Sequence, residues 1–213
     1  MRANGREPRG TRMQHIGGNV VHTVNFMQGA ITTIMALALG EALKVFVSGH
    51  DDTPLQWARL PALLAFLFVF VPFFQSISQF LYLTYLNPQT APVFRPRFLL
   101  FDGIMYILEA ACFYVMSHAL APRHWRHFYG AVLVLMAIDI VWSGITYRRG
   151  IHVGAWIYID AVIIVLLGGT MLYARGKHWQ ERGLTMLPSY ILMVVLGVTT
   201  AFSYWLESAI YFP

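Results

Sequence analysis

Six carboxylates lie inside the long apolar stretches of this sequence: Glu41, Asp102, Glu109, Asp139, Asp160 and Glu207. An acid at hydrocarbon depth is costly and is rarely left there without a role. In a cavity of low dielectric such groups take up and release protons, or attract a cationic or polar solute. Glu109 makes the strongest case. It is the deepest of the six, and its own helix offers no basic residue within reach. Asp139 and Asp160 are also deep. They serve either as working groups or as structural acids hydrogen-bonded to Ser, Tyr or Trp of a neighbouring helix. Asp102 and Glu207 sit nearer the ends of their stretches, where an acid either guides a solute inward or merely reaches the headgroup layer. Glu41 has Lys44 one turn later on the same helix face, a local pair that neutralises itself.

Spacing adds two expectations. Asp102 and Glu109 are two helical turns apart, so they project from one face about 10 Å apart along the axis. Tyr106 lies between them on nearly the same face and is placed to bridge them. Gln75 and Gln28 fall at equivalent depths of their stretches and add to a polar interior. The eight histidines fall at helix ends or in connections. His118, His124 and His127 form the densest group, yet no pair has the spacing and depth of a metal site, so neither metal nor cofactor is expected.

The elements that hold these residues are long apolar runs. The chain of 213 residues is 57% hydrophobic and 12% charged, where a soluble domain carries about 25% charged residues. A membrane-spanning helix needs roughly 20 mostly apolar residues. Runs near 24–47, 59–85, 98–120, 127–147, 153–174 and 187–212 meet that requirement. The spans are too long and too continuous for the alternating segments of a membrane barrel. The expected fold is therefore all-α: an integral membrane protein built as a compact bundle of about six transmembrane helices. Residues 1–23 form a basic tail and residues 24–213 a single domain, because the connections leave no room for a second one. Helices three to six resemble two repeats of one hairpin. Asp102-Gly103-Ile104 and Asp160-Ala161-Val162 open them, and Asp139 with Trp142, or Trp205 with Glu207, closes them. The first two helices fit loosely, giving three hairpin repeats. On this pattern Asp102, Asp139, Asp160 and Glu207, with the polar run Gln75–Gln79 after Pro72, share one leaflet, Glu109 lies near the midplane and Glu41 falls in the far half. The other half is apolar, with Phe66, Phe68, Phe70, Phe73 and Phe74 crowded on the second helix. Pro72 predicts a kink that forms a gate or a cavity wall.

Charge fixes the orientation. The net charge is +5, and Arg2, Arg6, Arg9 and Arg12 cluster ahead of the first span. The positive-inside rule accounts for them better than nucleic-acid binding does, and places both termini in the cytoplasm of a bacterial-type inner membrane. The first apolar stretch is too long for a cleavable signal peptide. Cys112 is the single cysteine, so an internal disulfide is excluded.

Known channel and carrier signatures are missing. There is no Thr-Val-Gly-Tyr-Gly filter, no arginine ladder and no lysine in the last span. Of the helix-1 motif Arg-x-x-x-Phe-Ser-Asp of the small bacterial relatives of a lysosomal potassium channel, only Phe26 is kept, so no residue is carried across. The first functional expectation is a small transporter or channel-like protein with a carboxylate-lined vestibule for protons, cations or a small polar solute. Glu109, Asp139 and Asp160 would be its working groups. The second is an intramembrane enzyme that protonates a lipid or isoprenoid. The third is a membrane subunit or assembly factor that binds a partner, or a second copy, within the bilayer.

Overall fold

Uninterrupted runs of Leu, Val, Ile, Ala and Phe leave the backbone no better partner than itself, and each run in this chain forms a helix. The computed structural model describes residues 9–47, 57–87, 96–120, 124–151, 153–176 and 187–206. The helices are α1 (Arg9–Val47), α2 (Leu60–Leu81), α3 (Pro96–His118), α4 (Trp125–Arg148), α5 (Gly154–Gly176) and α6 (Leu187–Leu206), and no strand forms among the described residues. Five of them are long and apolar enough to cross a membrane; the apolar part of the sixth, Ser189–Trp205, is shorter. The boundaries lie within a few residues of the expected spans except at the start. Helix α1 already begins at Arg9, inside the segment expected to be a tail. Nothing between Arg9 and Asn25 stops a helix: there is no proline, and the Gly17–Gly18 pair costs only about 1 kcal/mol per residue against alanine. The end of the expected sixth span, with Glu207, lies outside the described residues.

The helices pack in a closed order, α1–α3–α4–α5–α6–α2 and back to α1, and α2 also touches α3 across the ring. That cross-contact leaves α1 outside and encloses a space among the other five. Helix α1 packs along α3, running parallel to it. Met27 of α1 lies against Gly103, where an added Cβ would sit 2.7 Å from the Met27 Cε. Farther along, His118 of α3 comes within 4.0 Å of Glu41.

The surface is inverted relative to a water-soluble protein. Leu37, Val71, Leu100, Val134, Val165 and Val198, one from each helix, are all at least half exposed. Asp102, Glu109, Asp139 and Asp160 are all less than a tenth exposed. An apolar exterior around buried acids is what a hydrocarbon solvent selects.

Two local devices shape α2. Pro72 cannot donate a hydrogen bond to the carbonyl of Phe68 one turn earlier. The Thr200 hydroxyl of α6 donates to that carbonyl instead, at 2.7 Å. Gly197 makes the approach feasible, since a Cβ there would lie 3.0 Å from the Phe68 ring. At its other end α2 loosens into a π-helical turn, Tyr82–Leu86, closed by the Asn87 N–H donating to the Tyr82 carbonyl at 2.9 Å. Asn87 is extended, as a residue before proline must be.

Replacing Thr200 by Val removes the only side-chain donor placed on the Phe68 carbonyl among the described residues. Reversible unfolding in mixed micelles should show a loss of about 1 kcal/mol, typical of one interhelical hydrogen bond. Thr200→Ser should keep most of the stability.

Candidate functional site

The four deep acids stand on three helices. Asp102 and Glu109 are on α3, Asp139 on α4 and Asp160 on α5. The closed packing order decides which of them meet. Glu109, Asp139 and Asp160 line one cavity of about 650 Å³, counted with its open mouth. Asp102 does not line it. Helix α2 contributes Pro72 and Ser76 to the wall, and α6 contributes Thr199, Thr200 and Ser203. Helix α1 contributes nothing, in keeping with its place outside the α2–α3 contact.

The three acids differ in what they touch. Asp139 is hydrogen-bonded to Asp160. Glu109 is 1% exposed, and neither of its carboxyl oxygens has a hydrogen-bond partner among the described residues. Among the described residues no Lys, Arg or His lines the cavity.

Asp102 was expected at the rim and proves to be sealed, with no exposed surface. The Arg149 Nη1 donates to both of its oxygens, at 2.9 and 3.2 Å. The Trp142 indole N–H donates at 3.1 Å, and the Tyr85 hydroxyl, aimed by the π-helical turn, also donates to it. Arg149 is held in turn by the rings of Phe98 and Phe101, 4.3 and 4.9 Å from its guanidinium carbon. The turn that delivers Arg149 ends α4 at Gly150, whose φ of 86° suits glycine alone. Arg149 therefore serves as the counter-ion of Asp102, beyond its place in the count of basic residues by side.

Trp142 joins this cluster to the cavity. Its N–H holds Asp102, while its ring lines the cavity and stacks on Trp156 of α5 at 5.8 Å. No known family, no curated protein and no solved structure matches the chain. The cavity itself therefore carries the functional reading. Below the acids, Phe113 receives the edges of Phe66, Phe70 and Phe73 at 6.0, 5.5 and 5.7 Å, filling the space between α2 and α3 with rings.

The remaining expected site residues are placed as follows. Tyr106 lines the cavity and is buried against Trp142 and Phe80, but its hydroxyl has no hydrogen-bond partner among the described residues. It therefore makes no bridge from Asp102 to Glu109. The reason is that Arg149, Trp142 and Tyr85 draw Asp102 away from the cavity. Gln75 accepts a hydrogen bond from the Tyr204 hydroxyl at 3.2 Å, linking α2 to α6 beside the cavity. Glu41 and Lys44 are 3.3 Å apart. His118 bonds the Tyr114 carbonyl of its own helix at 3.0 Å. Glu207 lies outside the described residues. Sequence reasoning missed Tyr85, Trp156 and Thr200. Of these only Thr200 had a signal: Pro72 creates a carbonyl that some donor must satisfy.

Removing one member of a buried ion pair strands the other, at about 3–5 kcal/mol. Arg149→Ala should destabilise the protein by that order in micelle unfolding. The double variant Asp102→Leu with Arg149→Leu should lose clearly less than the sum of the two single changes.

Proposed function

We propose that this chain is a small membrane transporter or channel-like protein whose carboxylate-lined cavity takes protons or cations. One observation carries the reading: Glu109, Asp139 and Asp160, from three helices, line one cavity, and among the described residues no basic side chain lines it. Carboxyl groups without a cation in a low-dielectric space attract positive charge strongly. A proton taken up by Asp139 and Asp160 and an incoming cation compete for the same oxygens. A site that holds one or the other, but not both, couples their movements. The apolar exterior supports a bilayer as the solvent. The basic N-terminal residues favour both termini on the cytoplasmic side of a bacterial-type inner membrane.

A second reading has its own observation. Tyr106, Trp142 and Trp156 stand in the same wall as the acids. Rings beside a protonated carboxyl also suit acid catalysis on a lipid or isoprenoid, where they shelter a carbocation. Incubation of the reconstituted protein with lipid extract separates the two. A converted product formed without any ion gradient supports the enzyme.

For transport, the measurement is flux into proteoliposomes under a proton or cation gradient. The triple variant Glu109→Gln, Asp139→Asn, Asp160→Asn should lose flux by about tenfold or more, as removal of a charged contact worth roughly 1.5–3 kcal/mol implies. Flux that persists at the parental rate in this variant sinks the transport reading.

A further inference from the structure

The proposed site also constrains what enters it, and we propose that its solute is an organic cation with an apolar, ring-sized body. The inference rests on reading the cavity as a solute site and adds the chemical class. Sign comes first. Three acids face the cavity and, among the described residues, no cationic side chain does, so the site repels an anion and attracts a cation. Size follows. Among the described residues no three His, Cys, Asp or Glu side chains are grouped closely enough to hold a metal ion. A bare metal ion therefore finds no ready set of ligands there. The wall supplies the rest. Phe73, Tyr106, Trp142 and Trp156 line the same space. Aromatic faces attract a cation that carries little water, and they bind quaternary ammonium groups in this manner. A strongly hydrated metal ion gains little from such walls.

Glu109 is the anchor. Its oxygens are buried and without a hydrogen-bond partner among the described residues. A buried acid of that kind leaves its best interaction to a ligand. In the occupied state the positive centre lies at Glu109 and its apolar substituents lie on the indole rings of Trp142 and Trp156. The Asp139–Asp160 pair lines the same cavity.

The test uses the full chain in lipid nanodiscs and two probes of the same shape and opposite charge, tetraphenylphosphonium and tetraphenylborate. Protein-free discs correct for partition into lipid. Saturable binding of tetraphenylphosphonium, with quenching of tryptophan fluorescence, is expected, and tetraphenylborate should not compete. Glu109→Gln should weaken binding by about tenfold or more, the size of one lost charged contact. Glu109→Asp should retain most of it, which separates loss of charge from loss of fold. Equal binding of the two probes, or unchanged affinity in Glu109→Gln, overturns the inference. Proton or metal-cation flux without tetraphenylphosphonium binding overturns it too, while leaving the transport reading standing. Binding without flux of any cation supports the inference and sinks transport instead.

Discussion

The ion pair of Asp102 and Arg149 joins more of this molecule than any other polar contact. A carboxylate buried alone costs several kcal/mol, and here an arginine, an indole and a phenol all donate to it. Those donors come from different places: the turn after α4, the middle of α4 and the π-helical turn after α2. Satisfying one acid therefore fixes the first turns of α3 against the end of α4 and the end of α2. Trp142 carries the constraint further. Its nitrogen is committed to Asp102, so its ring has one orientation left, and that orientation presents a flat face to the cavity and to Trp156 on α5.

This arrangement divides the acids of α3 into two kinds. Asp102 has its donors, takes no part in the cavity wall and belongs to the scaffold. Glu109, two turns further along, faces the cavity with no donor of its own among the described residues. The division follows from supply. Arg149 reaches the end of α3 and no basic residue reaches its middle. The packing order completes the separation. Because α2 touches α3, the cavity closes among five helices and α1 lies outside them. Glu41 pairs with Lys44 of its own helix, away from that space.

Much of this was legible in the chain before any coordinates. Runs of apolar residues interrupted by prolines and short polar connections specify helices of nearly the right lengths, because helix formation in such runs is decided locally. The depths of Glu109, Asp139 and Asp160 could be counted along those helices. Their meeting at one cavity could not, since it depends on the order in which helices pack, and similar apolar faces carry little information about their neighbours. The same gap explains Asp102. Its partners Tyr85, Trp142 and Arg149 are distant in sequence, and a π-helical turn is needed to aim one of them. Arg149 looked like one of two adjacent interfacial arginines, and nothing in the pair Arg148–Arg149 marks which of them turns inward.

The contact between Thr200 and the Phe68 carbonyl has a consequence for how this sequence can vary over generations. The hydroxyl is needed because Pro72 leaves a backbone oxygen empty-handed. In a lineage where residue 72 regains an N–H, the helix closes its own bond and position 200 is released to drift toward any residue of similar size. While proline stays, the reverse holds, and position 200 is confined to Thr or Ser. The two sites are thus bound in inheritance although they sit on helices remote in sequence. The order of change matters: losing the proline first opens a neutral path, and losing the hydroxyl first does not.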